Sequence, residues 1–330
     1  MKSPTPIVRI AATGRYLPER VVTNDDLSKL VETSDEWIRE RTGIAERRIA
    51  PEAMLAAEMG ELAARQALER AGVAPGEVDV LIVTTATPDR WLPSTACDLQ
   101  SLLGASNAFA YDLSAACTGF LYGVSMGEGF LAAGRGDVAL VVSTEKMSAI
   151  VDWTDRSTCV LFGDGAGAAV LRRSEDERGI LSSHHGSDGA LAELLYRPAG
   201  GVRQALDLEA LERKDHMLKM HGREVFKNAV RNMAEASEIA LQKAGLTAAD
   251  VDLMVPHQAN IRIIEATARY AGIPMDKVFV NVDRYGNMSS ATVPVALDEA
   301  QEQGRLGPGA IVLSAAFGAG LTWGAMTFRW

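Results

Sequence analysis

A near-constant internal repeat constrains this chain more than any single motif. The stretch Gln66-Ala67-Leu68-Glu69-Arg70-Ala71-Gly72 returns in character as Ile239-Ala240-Leu241-Gln242-Lys243-Ala244-Gly245, and each closes an amphipathic helix with glycine. An acidic turn and a buried-strand pattern follow both: Val78-Asp79-Val80-Leu81-Ile82-Val83 in one, Val251-Asp252-Leu253-Met254-Val255 in the other, with Val78 to Val251 an offset of 173. The next block repeats as well, since residues 108–112 before Cys117 resemble residues 278–283 before Asn287, and Asp112 to Asp283 is an offset of 171. A third pair, residues 138–144 and 310–315, keeps the offset of 171 from Ala139 to Ala310. Buried strands alternating with helices predict an α/β protein with largely internal sheets. The repeat predicts two similar halves, 1–175 and 176–330, joined at the polar run Arg172-Arg173-Ser174-Glu175-Asp176-Glu177-Arg178-Gly179. Residues 197–214, with Pro198, Gly200 and Gly201, read as a surface excursion.

Composition narrows the function classes. The 330 residues, 47% of them hydrophobic, can bury large cores. A net charge of -10 argues against nonspecific nucleic-acid binding, although a local basic patch can still receive an acidic partner. No apolar run reaches the roughly 20 residues that span a bilayer, so no membrane partner and a cytoplasmic location are expected. Cys97, Cys117 and Cys159 form no C-x-x-C pair, and the five histidines show no metal-ligand spacing, so neither a disulfide scaffold nor a metal is expected.

Cys117 lies in Tyr111-Asp112-Leu113-Ser114-Ala115-Ala116-Cys117-Thr118-Gly119-Phe120, where a strand pattern gives way to a small-residue helix. Unpaired N–H groups and the positive dipole end at a helix start stabilise a thiolate and can hold an oxyanion. The repeat sets other polar residues at matching strand ends: Pro256-His257-Gln258-Ala259-Asn260 corresponds to Thr84-Thr85-Ala86-Thr87, and Gly286-Asn287-Met288-Ser289-Ser290 to the Cys117 turn. If the halves pack about a pseudo-twofold axis, Cys117, His257 and Asn287 meet in one cleft. Such a set supports two chemistries. In the papain manner, Asn orients His and His activates Cys for hydrolysis. Alternatively, Cys carries an acyl thioester while His Nε2–H and the Asn amide donate to an enolate. Which ring nitrogen of His257 bears the proton is open at this level.

Other features have blander readings. Cys97 and Cys159 read as buried structural thiols, and the adjacent His184 and His185 as solvent-facing loop residues. Phe162-Gly163-Asp164-Gly165-Ala166-Gly167-Ala168-Ala169-Val170 leads into a strand pattern rather than opening a helix, so it reads as close backbone packing and not as a nucleotide loop.

Further motifs occur in order: Gly14-Arg15-Tyr16-Leu17-Pro18, Thr33-Ser34-Asp35-Glu36-Trp37-Ile38, Arg41-Thr42-Gly43-Ile44 and Ala316-Phe317-Gly318-Ala319-Gly320-Leu321-Thr322-Trp323-Gly324. With the His257 and Asn287 motifs they span essentially the whole chain. In this the sequence resembles the β-ketoacyl-acyl carrier protein synthase III family of the thiolase superfamily. The resemblance implies a thiolase-like five-layered αβαβα fold of two similar halves and a homodimer. It implies a decarboxylating Claisen condensation of an acyl-CoA primer with malonyl-acyl carrier protein, which starts fatty acid synthesis and uses no cofactor, acyl-CoA being a substrate.

By the same resemblance Cys117, His257 and Asn287 are catalytic, and the backbone N–H groups of Cys117 and Ala319 hold the oxyanion. Thr33, Trp37, Arg41, Arg156, Gly222, Asn260 and Phe317 line the CoA path, Leu92 borders the acyl pocket, and Lys227, Gln258, Arg262 and Arg269 receive the carrier protein. The chain departs from many relatives with Ala319 inside a glycine run, with Leu92 where a bulky aromatic residue is often supplied across the dimer, and with Arg223 after Gly222. These departures leave the primer unassigned. They also keep two rivals in view: a ketosynthase of a specialised metabolite pathway using longer or branched acyl groups, and a noncatalytic acyl-binding partner subunit.

Overall fold

The structure, a computed structural model, describes residues 7–330. Each repeat begins alike. The helices Ala56–Ala71 and Gly222–Ala244 both end on a left-handed glycine, Gly72 and Gly245, whose N–H groups close the last turn. Short turns follow, Pro75–Glu77 and Ala248–Asp250, in which Glu77 and Asp250 reach back to the backbone N–H groups of Ala74 and Thr247.

One sheet has the strand order Val8–Tyr16, Asp164–Arg173, Val138–Lys146, Val80–Thr84, Phe109–Leu113. The other has Gly179–Ser187, Thr322–Arg329, Ile311–Gly318, Leu253–Met254, and a parallel bridge from Met254 to Val278 stands where the fifth strand would be. Pairing sense matches position by position: parallel around Val80–Thr84 and Leu253–Met254, antiparallel elsewhere. The pattern at residues 251–255 predicts a longer strand than Leu253–Met254. Its backbone nonetheless stays in line, with the N–H groups of Val255 and His257 donating to Leu313 and Ala315.

Alternation along the strands sorts side chains into layers. Leu81, Val83, Leu140 and Val142 face the helices Ala56–Ala71 and Thr95–Leu103, whereas Val80, Ile82, Ala139 and Val141 face inward. The inner faces of both sheets share a core with Gly119–Ala132 and Thr292–Glu302, while Leu313, Ala315 and Phe317 pack outward with Gly222–Ala244 and Ile261–Tyr270. The result is the expected five-layered αβαβα arrangement. Glycines 119, 123 and 127 lie on one face of Gly119–Ala132. A Cβ at Gly123 would come within 2.9 Å of Thr84 and Val141, and one at Gly127 within 2.8 Å of Leu171.

The glycine-rich run belongs to the strand Asp164–Arg173, where a Cβ at Gly167 would press on Pro294 at 2.7 Å. His184 and His185 lie in the strand Gly179–Ser187 rather than in a loop, and His185 Nε2 sits 2.7 Å from Ser125 Oγ. The excursion at residues 197–214 holds one short helix, Leu208–Glu212, and fully exposes Val202. Among the described residues no helix is long and apolar enough to cross a membrane.

Candidate active site

Two matching turns build the site. Each is a 3-10 turn that opens a central helix: Ala116–Thr118, after the strand Phe109–Leu113, leads into Gly119–Ala132, and Ser289–Ala291, after the short helix Val282–Tyr285, leads into Thr292–Glu302. Both turns begin on a residue with positive φ, Ala116 at 46° and Ser289 at 47°, a conformation that costs a non-glycine residue on the order of 1 kcal/mol or more. The turns face each other, so Ser289 Oγ lies 3.6 Å from Cys117 Sγ.

One cavity of about 540 Å³ is lined by Cys117, His257, Asn287 and Phe317 at its inner end and by Arg41, Gly222 and Asn260 farther out. The polar three are buried except where they meet this space. The amide of Asn287 has a defined orientation: its Oδ1 accepts the N–H of Ser289 at 2.8 Å, which leaves Nδ2 as the donor toward the cavity. His257 Nδ1 sits 2.6 Å from Thr292 Oγ1, which leaves Nε2 for the cavity. Burial holds the imidazole well below its ordinary range, down to about 3, so the ring is neutral at physiological pH.

Cys117 differs from the sequence expectation. Burial pushes its thiol up to about 12, the Ser289 hydroxyl draws it back only in part, and Glu145 pushes the same way as burial. Desolvation therefore outweighs the helix start, and the resting group is a thiol. The backbone N–H of Cys117 lies against Gly318, where a Cβ would come within 2.7 Å, and Ala319 follows directly.

Glu145 and Arg47 were not singled out by sequence. The buried Glu145 carboxylate accepts from Ser290 Oγ at 2.7 Å, from the N–H of Ala86 at 2.9 Å and from Thr87 Oγ1 at 3.1 Å, which ties the second turn to the first sheet. Burial raises its pKa despite these donors. Arg47, fully buried, donates to Val160 O and Asn24 Oδ1; beyond Val160, Leu161 O accepts the N–H of Asn287. The turns Ala116–Thr118 and Ser289–Ala291 are 173 residues apart, which places Cys117 opposite Ser290, and the same offset places Glu145 opposite Gly318.

At the outer end the guanidinium groups of Arg41 and Arg156 lie over the Trp37 ring, 4.8 Å and 4.7 Å from its centre. Thr33 Oγ1 is buried without a hydrogen-bond partner among the described residues. Asn260 caps Ile261–Tyr270 through its Oδ1 and still lines the cavity. Arg262 and Arg269 project from that helix and Lys227 from Gly222–Ala244, all exposed. Gln258 does not join them. It is fully buried, donating to Pro256 O and Phe279 O and accepting the N–H of Asn281, so its work is to hold the His257 segment. Leu92 is 87% exposed and does not line the cavity of its own chain. Cys159 is buried as expected, whereas Cys97 is exposed on the outer helix Thr95–Leu103.

Comparison with known proteins places these features in context. Residues 111–189 match the family description 3-oxoacyl-acyl carrier protein synthase III, and residues 241–330 match its C-terminal description. A β-ketoacyl-acyl carrier protein synthase III of Symbiobacterium thermophilum is 52% identical over 323 residues, covering 98% of both chains. Among solved structures, a 3-oxoacyl-acyl carrier protein synthase III of Aquifex aeolicus VF5 is similar at a TM-score of 0.90 and 47% identity, covering 98% of this chain and 100% of that one. The priming β-ketosynthase of the R1128 polyketide pathway is similar at a TM-score of 0.91 and 37% identity, covering 100% and 98%.

Proposed function

This chain belongs to the 3-oxoacyl-acyl carrier protein synthase III family, and from that membership we propose that it condenses an acyl-CoA primer with malonyl-acyl carrier protein, with Cys117 as the acyl carrier. The product is 3-ketoacyl-acyl carrier protein, formed at the start of fatty acid synthesis. One observation carries the assignment of residues: a buried thiol and two neutral hydrogen-bond donors, His257 and Asn287, face the same cavity.

In the first half-reaction Cys117 Sγ attacks the primer thioester, the bond from the acyl carbon to the CoA sulfur breaks, and CoA leaves as its thiol with the proton that Cys117 gives up, while the N–H groups of Cys117 and Ala319 receive the tetrahedral oxyanion. In the second, the malonyl carboxylate leaves as carbon dioxide and its electron pair moves onto the thioester oxygen as an enolate. Asn287 Nδ2–H and His257 Nε2–H donate to that oxygen, so they stabilise charge where it develops. The enolate carbon then attacks the Cys117 thioester and expels the thiolate, which takes a proton from solvent. The papain arrangement needs Asn to orient His, whereas here His257 Nδ1 lies against Thr292 Oγ1 and Asn287 Oδ1 accepts from Ser289 N–H, so the two side chains stand side by side as donors instead.

Trp37, Arg41, Arg156 and Thr33 serve the nucleotide end of CoA, by stacking and by charge on phosphate, and Gly222, Asn260 and Phe317 guide the pantetheine arm. Lys227, Arg262 and Arg269 form a basic rim for the acidic carrier protein. The active unit is a homodimer. Phe109–Leu113 is an open sheet edge whose Phe109 is half exposed and meets Phe130 edge to face, and the neighbouring loop exposes Trp91 and Leu92. A partner across that edge gives Leu92 an acyl pocket to border.

Similarity to the priming β-ketosynthase of the R1128 polyketide pathway supports a second reading, a ketosynthase of a specialised pathway, and the departures at Ala319 and Leu92 suit it to a longer or branched primer. Incubation of the protein with a panel of acyl-CoAs, read by intact mass, tests both readings. A mass gain on Cys117 followed by carbon dioxide release on adding malonyl-carrier protein is expected; a preference confined to acetyl rejects the second.

A further inference from the structure

Decarboxylation of the malonyl unit requires a hydrogen on Nε2 of His257, and the surroundings of Nδ1 determine whether it is there. Thr292 Oγ1, wholly buried at the start of Thr292–Glu302, has one hydrogen and two acceptors within reach: His257 Nδ1 at 2.6 Å and Ser289 O at 3.0 Å. Ser289 O is already served by the backbone N–H of Thr292, which closes the 3-10 turn. Nδ1 has no other partner among the described residues, and the contact to it is the shorter one. A buried lone pair left without a donor is costly, whereas a carbonyl that already accepts one hydrogen loses little.

We propose that Thr292 is the positioning residue that sets the His257 tautomer: its hydroxyl donates to Nδ1, so the ring proton resides on Nε2 and points into the cavity. The inference rests on the condensing role given to His257 above and deepens it. It assigns His257 to the second half-reaction as a hydrogen-bond donor and removes it as the base for the Cys117 thiol, because Nε2 then has no lone pair to offer. The same turn orients both donors, Ser289 N–H fixing the Asn287 amide and Thr292 O–H fixing the imidazole.

Two measurements on the full-length protein test this. In protein carrying ¹⁵N-histidine, with His257→Asn used to assign the resonance, Nδ1 of His257 should show the pyridine-type shift of an unprotonated nitrogen and Nε2 the pyrrole-type shift of a protonated one. The reverse pattern overturns the proposal. In single-turnover kinetics, Thr292→Val should slow carbon dioxide release from malonyl-carrier protein by acyl-loaded enzyme roughly tenfold, the size of one lost buried hydrogen bond. Cys117 acylation by acyl-CoA should change by less than about threefold, and Thr292→Ser should restore the loss. Equal slowing of both half-reactions, or none, overturns the proposal. Should Thr292→Val fail to fold, the wild-type spectrum and Thr292→Ser still decide. A wild-type chain that shows the expected tautomer but releases no carbon dioxide would instead overturn the condensing role.

Discussion

Among the described residues no charged group draws a proton to His257, whose pKa is lowered by burial alone, and that isolation couples catalysis to stability. The unfolded imidazole takes up a proton near 6.5 and the folded one only near 3, so between those values the unfolded chain binds more protons. The contribution is fully present above 6.5 and is lost as pH falls toward 3, by about 1.4 kcal/mol per unit at most. His185, held down to about 4 mainly by burial, adds a second slope of the same sign. His257→Gln should therefore flatten the fall of the urea midpoint between pH 7 and pH 4.5 without abolishing it; an unchanged slope would contradict the assignment. Cys117 bears on activity instead. Cys117→Ala should gain no mass from acyl-CoA, while the fold, read by circular dichroism, is kept. At this scale the sequence placed Cys117, His257 and Asn287 through the repeat, because chemistry-bearing residues at strand ends stand out from their apolar surroundings. It misplaced Gln258, His185 and Cys97, because whether a polar side chain is buried is decided by partners distant in the chain, such as Asn281 for Gln258 and Ser125 for His185.

The central helix Gly119–Ala132 shows what the small-residue pattern achieves. Glycines at 119, 123 and 127 let the helix backbone approach Thr84, Val141 and Leu171, and that approach seats Cys117 at the end of the first sheet. Alanine is favoured over glycine in a helix by about 1 kcal/mol, yet a Cβ at Gly123 meets two side chains at 2.9 Å. Overpacking of that kind costs about 1–3 kcal/mol. Gly123→Ala should thus lower the unfolding free energy by about 1 kcal/mol in denaturant titration; stabilisation would show that the helix has room to move away. Elements with strong local signals were legible: the glycine-closed helices, the acidic turns after them and the strands Val80–Thr84, Phe109–Leu113 and Val138–Lys146 of the first sheet, whereas Val8–Tyr16 was not. The paired strained turns were not, since a positive φ at Ala116 and Ser289 leaves no mark in residue type. The second sheet's inner strand was also predicted longer than Leu253–Met254, because apolar runs report burial more faithfully than hydrogen-bond pairing.

At the scale of the molecule, two sheets with the same strand order place equivalent strand ends on either side of one cavity, and that relation follows from the offset of 171 to 173 residues. Fully buried Asp298 crosses between the halves, accepting from Thr13, Arg15 and Arg70 of the first. What a single chain leaves exposed, the edge Phe109–Leu113 with Trp91 and Leu92 nearby, a second copy would cover. Phe109→Lys should shift the protein from dimer to monomer in sedimentation velocity, and a dimer unaffected by the change would place the interface elsewhere. In the proposed reaction Cys117 holds an acyl group that a decarboxylating malonyl unit then removes. Its most direct test loads the protein with a labelled acyl-CoA, strips free CoA, adds malonyl-carrier protein and follows the Cys117 peptide by mass while trapping carbon dioxide. The label should leave Cys117 in step with carbon dioxide release and reappear in 3-ketoacyl-carrier protein. Release of the label as free acid, or the same product at an undiminished rate from Cys117→Ala, would contradict it.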